Sequence, residues 1–118
     1  MTVDLTVCAR TDAGLVRTSN DDAFIIADLT SGCAVHEPYV AFRVDIGQRG
    51  VLLAVSDGLG THAAGEIASA LIVESVRRSL SSSIPEDPEL VDALLEEAVQ
   101  RANRALWRAS STPGDEAT

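Results

Sequence analysis

Residues 51–58 have the sequence Val-Leu-Leu-Ala-Val-Ser-Asp-Gly, and this stretch determines how the whole chain is interpreted. Val51 to Val55 is apolar at every position, which predicts a short strand buried on both faces. Asp57 and Gly58 come next, so a rigid element holds the carboxylate while glycine lets the backbone turn sharply. Asp-Gly is a common turn dipeptide, but a carboxylate beside an accessible carbonyl is also a pair of hard oxygen ligands for Mg²⁺ or Mn²⁺.

Three further strands are predicted before this stretch. Alternating apolar and polar residues predict a half-buried strand over Val3–Ala9, and a run rich in Phe and Ile predicts a second over Ala23–Ala27. Tyr39–Ile46 predicts an edge strand because Pro38 precedes it, and Asp28–Pro38 predicts a loop. Turns are predicted at Thr11–Gly14 and Gly47–Gly50.

Two helices are predicted after residue 65. The first ends at Ser81–Pro85, and the second starts with Asp87 as a cap and Pro88 at the first helical position, and runs to about Ala109. The tail Ser110–Thr118 is polar and is predicted to fray. The predicted apolar faces are Ile67, Ala68, Leu71, Ile72, Ser75, Val76 and Leu80 on the first helix, and Leu90, Val91, Leu94, Leu95, Ala98, Val99, Ala102, Ala105 and Leu106 on the second.

Strands grouped before helices predict an α+β fold in which both helices pack on one face of an antiparallel sheet. The strand Val51–Val55 would then need cover on its second face as well.

Composition limits the class of protein. The chain has 118 residues, 46% of them hydrophobic, which suits one domain with a core built from aliphatic residues. Its net charge of −9 argues against binding to nucleic acid or to anionic membranes. Cys8 and Cys33 have no spacing typical of a disulfide framework or a zinc site, and no signal peptide or membrane-spanning run is present. We therefore interpret the protein as soluble and cytoplasmic.

A first polar cluster stands before the second predicted strand, and comprises Arg17, Asn20, Asp21 and Asp22. Such a cluster is often only a solvated turn. Two carboxylates beside one arginine would also suit a metal–phosphate site, because the carboxylates bind the cation and the guanidinium binds phosphate oxygens in a bidentate fork. An acidic chain that handles phosphate esters needs such a positive group to offset repulsion.

A second cluster follows the apolar strand and contains Asp57, Gly58, Gly60 and His62. His62 could donate a proton to a leaving group, or could order the glycine-rich loop by hydrogen bonds. His36 has no motif around it, and no role is assigned to it.

Taken in order, the motifs TDAGLVRTSNDD (residues 11–22), LAVSDGLGTHAAGEIAS (residues 53–69) and ANRA (residues 102–105) resemble the PPM family of metal-dependent serine/threonine protein phosphatases in its bacterial form. The resemblance implies an α-β-β-α sandwich in which a pair of Mn²⁺ or Mg²⁺ ions lies at one end. It implies direct attack of a metal-activated water on the phosphorus of a phosphoserine or phosphothreonine protein.

The resemblance also implies roles for individual residues. Asp57 would bridge the two metals and the Gly58 carbonyl would bind one of them. Asp21 would reach a metal directly or through water, and Asp22 would support that shell. Arg17 would hold the substrate phosphate, and His62 would act as the proton donor.

Three features depart from the family pattern. Asp21 replaces a longer Glu and Thr61 stands where a second glycine is common. The remaining metal-ligand aspartates of the family lie in a later part of the domain. Residues 1–118 are therefore predicted to form a single partial domain, the N-terminal half of a PPM-type domain, with an incomplete site. A half-sandwich would expose its inner face, which predicts self-association or pairing with the missing half.

Three functional hypotheses follow. The chain is a portion of an active phosphatase, or a non-catalytic phosphatase-like module that binds a protein partner, or an unrelated metal-binding α+β domain. The third hypothesis requires the motif series to be a coincidence.

Overall fold

The computed structural model describes residues 3–16, 20–58, 65–81 and 85–110, with the side chains of residues 65, 66, 109 and 110 left out of the description. Within these described ranges, five strands precede two helices. They are β1 (Val3–Arg10), β2 (Asp22–Asp28), β3 (Ala34–Val35), β4 (Tyr39–Ile46), β5 (Val51–Asp57), α1 (Gly65–Ser79) and α2 (Pro88–Ser110). The predicted α+β class is confirmed, with antiparallel strands followed by two helices. The two-residue strand β3 was not expected, because the sequence predicted a loop there.

The described strands form two antiparallel sheets. One contains β1 and β4, which pair along their whole length from Val3 opposite Ile46 to Arg10 opposite Tyr39. The other has the order β3-β2-β5, so β2 is its central strand. Strand β2 also contacts β4 of the first sheet. This contact links the two sheets and brings the start of β2 close to the end of β1.

The main core lies between the three-stranded sheet and the helices. Ile25 and Ala27 of β2 and Leu52 of β5 pack there against residues of both helices, and Ile25 is only 2% exposed. The helix residues buried in this core are Val73, Val76, Ala98 and Ala102, together with Leu80 just after α1. Burial of apolar area in this layer is the main favourable term for the fold.

The opposite face of the three-stranded sheet is covered unevenly. Phe24 and Ile26 of β2 are buried there, and Val44 of β4 is buried on the other sheet. On β5, however, Leu53 is 55% exposed and Val55 is 85% exposed. The prediction that this strand is buried on both faces is therefore wrong for β5, because β1 and β4 cover β2 but do not cover its neighbour.

The helical stripes are narrower than the sequence predicted. Ile67 on α1 is 71% exposed, and Leu90 and Val99 on α2 are 55% and 53% exposed. The two helices contact each other, and α1 lies between α2 and the strands. Each helix therefore buries only the part of its apolar stripe that faces the sheet or its neighbour. Among the described residues, neither helix is long and apolar enough to cross a bilayer.

Two tight turns lie at the end of the three-stranded sheet that is farther from Asp22. Gly50 has φ of 80°, and its N–H donates to the Gly47 carbonyl at 3.2 Å, as expected for the predicted turn. A Cβ added at Gly47 would stand 2.5 Å from Thr30 Oγ1, so only glycine allows the turns at 28–32 and 47–50 to lie this close. Cys8 and Cys33 are both free and exposed. The predicted frayed tail, from residue 111 onward, lies outside the described residues.

Candidate metal centre

Asp22 and Asp57 face each other across the ladder between β2 and β5, as its terminal pair. The Asp28 N–H bonds toward β3 and the Leu29 N–H bonds toward Gly50 at the start of β5. Backbone groups alternate sides along a strand, so even-numbered residues of β2 point away from β5. Asp22 and Asp57 are therefore a non-hydrogen-bonded pair, the kind whose Cα atoms are about 4.5 Å apart and whose side chains come closest.

Asp57 is the last residue of β5, where the ladder with β2 holds it opposite Asp22. Gly58 follows it and is half-buried. Like charges directly opposite each other repel, and a divalent cation between them would convert that repulsion into attraction. The donor set at this strand end, two carboxylates and a neighbouring carbonyl, fits a hard cation that prefers oxygen ligands.

Asn20 positions the start of β2. Its Nδ2 donates to Thr11 Oγ1 at 2.7 Å, and its Oδ1 accepts from the Asp22 N–H at 3.2 Å. Asp12 caps the preceding turn, because its Oδ1 accepts from the N–H of Gly14, which has φ of 81°. Asp12 and Asn20, two residues of the first motif, therefore shape the turn and the loop between β1 and β2.

Asp21 lies immediately before β2 and is only 5% exposed. Side chains alternate between the two faces along β2. If this alternation continues by one residue, Asp21 lies on the opposite face from Asp22, toward the helices. The two adjacent carboxylates of the first cluster therefore have different environments, one buried and one exposed. The sequence placed them in one metal shell, and the structure brings Asp22, rather than Asp21, opposite Asp57.

Two predicted catalytic residues, Arg17 and His62, lie outside the described residues. So does Thr61, one of the departures from the family pattern. Within the described ranges, no group of three His, Cys, Asp or Glu side chains is close enough to hold a metal ion. Of the predicted ligands, the structure thus brings Asp22 and Asp57 together as an opposed pair, with Gly58 next to Asp57.

A cavity of about 420 Å³ adjoins this strand end and contains residues that sequence reasoning missed. His36, Pro38 and Glu74 line it together with Asp22. Neither His36 nor Glu74 has a motif around it. Glu74 comes to the site on α1, which packs on β2, and His36 comes there in the segment between β3 and β4. No signal in the sequence would have found them.

Glu74 is held by an ion pair within α1. The Arg77 guanidinium donates to Glu74 from Nε at 3.0 Å and also from Nη2. These hydrogen bonds lower the pKa of Glu74, and the charges of Arg78 and His36 add to the effect. The same pair raises the pKa of Arg77. One wall of the cavity therefore carries the Glu74 carboxylate, which is already paired with the Arg77 guanidinium.

The family model for protein phosphatase 2C matches residues 40–117, a range that contains β4, β5 and both helices. The chain therefore belongs to the protein phosphatase 2C family, as the resemblance to PPM-type phosphatases implied.

Two curated relatives are similar over most of the chain. Both are the serine/threonine protein phosphatase PstP of Mycobacterium tuberculosis, from strains CDC 1551 / Oshkosh and ATCC 25618 / H37Rv. Each is 35% identical over 106 residues, which cover 90% of this chain and 16% of the relative. The chain thus corresponds to a small part of the length of these relatives. No solved structure matched the chain.

Proposed function

We propose that this chain supplies one side of the catalytic site of a metal-dependent serine/threonine protein phosphatase, which hydrolyses phosphomonoesters on proteins. The observation that carries the proposal is the pairing of Asp22 with Asp57 at the end of the β2–β5 ladder. Membership of the protein phosphatase 2C family supports phosphatase chemistry. The similarity to a phosphatase named for serine and threonine supports the substrate class.

Asp57, Asp22 and the Gly58 carbonyl are the residues that would hold Mn²⁺ or Mg²⁺, and Asp21 would support the site from its buried position. Further ligands would be needed to complete a pair of ions, because each hard cation takes six or more oxygen ligands, some of them waters. When bound, the cation supplies a water of lowered pKa and neutralises charge on the phosphoryl oxygens.

The remaining roles belong to charged side chains of the chain itself. The net charge of −9 repels a phosphate ester, so a local cation must bind and orient it. We assign that role to Arg17, whose guanidinium can bind two phosphoryl oxygens at once. His62 is the proposed donor of a proton to the leaving serine or threonine oxygen.

The test is Mn²⁺-dependent hydrolysis of p-nitrophenyl phosphate by the protein, compared with Asp57→Asn. Asparagine keeps the shape of the side chain and removes its charge, so hydrolysis should fall at least about a hundredfold if the carboxylate binds the cation. Asp45→Asn is the matched control, because Asp45 is an exposed strand aspartate that also lies opposite another, Asp4. Mn²⁺-dependent hydrolysis that is measurable and equal in the wild type and Asp57→Asn would contradict the proposal.

A second candidate function is a non-catalytic module that binds a protein partner. The exposure of Leu53 and Val55 on β5 favours it, since apolar side chains on a strand face are common at interfaces. Analytical ultracentrifugation of the wild type and of a Leu53→Thr/Val55→Thr variant distinguishes the two. Self-association that disappears in the variant, in a protein without metal-dependent hydrolysis, would favour the binding module.

A further inference from the structure

One edge of β2 carries backbone groups that no described strand pairs. Strand β3 pairs with β2 only at Ile26 and Ala27. Continuing that register would place Glu37 opposite Phe24, but the chain leaves the sheet after Val35 to reach β4. Among the described residues, the part of β2 from Asp22 to Ile25 therefore has a strand neighbour on the β5 side alone.

The groups on this edge can be identified from the hydrogen bonds at the other end of β2. The Asp28 N–H donates to Cys33 on the β3 side, whereas the Leu29 N–H donates to Gly50 on the β5 side. Even-numbered residues therefore direct their N–H and C=O toward β3. At the open part of the edge, these are both backbone groups of Phe24 and the carbonyl of Asp22, since the Asp22 N–H already bonds Asn20.

The 420 Å³ cavity runs along this edge. It is lined by four consecutive residues of β2, from Asp22 to Ile25. Alternate side chains of a strand point to opposite faces, so one cavity that touches all four meets the strand along its edge. Ala70 and Val73 of α1 and His36 form other parts of the wall. Four strand residues span about 13 Å, and the volume lies in the range of binding clefts.

We propose that this edge binds an extended segment of the phosphoprotein substrate, which pairs with Phe24 as an added strand. The inference rests on the proposed function and specifies how that site takes a protein substrate. An open strand edge offers one donor and one acceptor at every second residue, which is the pattern that a peptide backbone complements. The cavity continues past the start of β2 to Asn20 and Thr11, and Asp22 is part of its wall, so the bound segment passes one of the two opposed carboxylates.

This binding mode implies recognition of main chain more than of particular side chains. Main-chain hydrogen bonds supply affinity, and alternate side chains of the peptide face the cavity wall. The apolar part of that wall, at Ala70 and Val73, suits small aliphatic side chains beside the phosphorylated residue.

The first experiment is amide hydrogen exchange followed by NMR on the metal-free protein. The probe is a capped heptapeptide with a central phosphothreonine flanked by valine and alanine. Saturation with this peptide should slow exchange at Phe24 at least about tenfold, because its N–H gains a partner. The amides of Ala23 and Ile25 point to β5 and serve as internal controls that should not change. Unchanged exchange at Phe24 would overturn the proposal.

The second experiment methylates one backbone nitrogen of the peptide at a time, with the wild-type protein. On one side of the phosphothreonine, methylation of every second peptide nitrogen should weaken binding about threefold to tenfold, because each such methyl group removes one hydrogen bond. Methylation of the nitrogens between them should leave binding unchanged. Equal effects at all positions, or none, would contradict pairing along a strand.

A variant that fills the cavity completes the test. Ala70→Leu should weaken peptide binding at least about tenfold, whereas Ala93→Leu, the same change at an exposed position of α2, should not.

Protection of the Phe24 amide from exchange that rises with protein concentration in the absence of peptide would show that a second copy occupies the edge, and would overturn the proposal. These experiments use no metal and measure no hydrolysis, so a failed phosphatase assay remains distinguishable from a failed edge site.

Discussion

Asn20 donates a hydrogen bond from its side-chain amide to the hydroxyl of Thr11 at 2.7 Å. The bond ties the residue after β1 to the residue two before β2, and so closes the loop between the two sheets. The other end of the same amide accepts the Asp22 N–H, which fixes the residue that faces Asp57. Asn20, a motif residue with no predicted chemical role, thus positions Asp22, a candidate metal ligand.

Replacing Asn20 with alanine should therefore destabilise the protein and weaken Mn²⁺ binding together. Two hydrogen bonds are lost, each with a net contribution of about 1 kcal/mol, so the free energy of unfolding should fall by about 1–2 kcal/mol in urea titrations. Thr11→Ser keeps a hydroxyl partner and is the control. A loss of stability without any change in Mn²⁺ affinity would show that Asn20 does not position the site.

Removing the charge of Asp22 should affect stability in opposite directions with and without metal. In the metal-free protein, Asp22→Asn relieves repulsion from Asp57 and should raise the free energy of unfolding by up to about 1 kcal/mol. A bound cation at a hundred times its Kd stabilises the wild type by about 2.7 kcal/mol, and the variant should lose much of that gain. Thermal unfolding with and without Mn²⁺ measures both effects. Asp45→Asn should keep the full Mn²⁺ effect.

Gly47 and Gly50 should differ in their response to alanine. At Gly47 an added Cβ would lie 2.5–2.8 Å from three atoms of Thr30, and relieving that overlap should cost about 1–3 kcal/mol. At Gly50 the space is open and only the φ of 80° opposes alanine, at a cost of about 1–2 kcal/mol. Adding Thr30→Ala, which removes two of the three contacts, should recover part of the loss for Gly47→Ala and none for Gly50→Ala. Equal responses of the two double variants would contradict the close contact.

The ion pair between Glu74 and Arg77 should make a small contribution to stability that depends on pH. The pair lowers the pKa of Glu74 in the folded protein below its unfolded value of about 4.3. The contribution is therefore present above about pH 4.3, and is lost as pH falls through the folded pKa. Because the Glu74 side chain is 37% exposed, screening should limit it to about 0.5 kcal/mol. A double-mutant cycle with Glu74→Gln and Arg77→Gln at pH 7 and pH 3 measures it, and an equal coupling energy at both pH values would contradict it.

Two strand valines that differ in exposure, Val44 and Val55, should respond differently to the same substitution. Val44 on β4 is 8% exposed, so Val44→Thr buries a hydroxyl and should cost about 1–3 kcal/mol. Val55 on β5 is 85% exposed, and Val55→Thr should change stability by less than about 0.5 kcal/mol. Urea titration at low protein concentration compares them. A large loss for Val55→Thr would show that another surface covers β5.

Most elements of the fold could be predicted from local patterns. The strand over Tyr39–Ile46 has the predicted bounds, and the second helix begins at Pro88 as its cap predicted. Strand β3 was missed because two residues are too few to show a period. The burial of β5 was misjudged because periodicity reports how apolar a strand is, and not whether another layer of the same chain covers it.

The sequence singled out candidate ligands and not their surroundings. It pointed to Asp57 and Gly58 from the strand before them, and to Asp21 and Asp22 from the polar cluster before β2. Which carboxylate of that cluster faces Asp57 depended on the register between β2 and β5, and one residue of slip would exchange Asp22 for a neighbour. His36 and Glu74 come to the site only through packing of distant elements.

The sequence by itself determined the order of the four longer strands and the two helices, the turn at Gly47–Gly50 and the family, because each depends on neighbours along the chain or on motifs in a given order. The tertiary structure alone decided that Asp22 stands opposite Asp57 and that α1 and α2 bury only part of their apolar stripes. It also decided that, among the described residues, part of one edge of β2 has no strand neighbour. Each of these depends on contacts between residues far apart in sequence, where register and packing select one arrangement among several that the local pattern allows equally well.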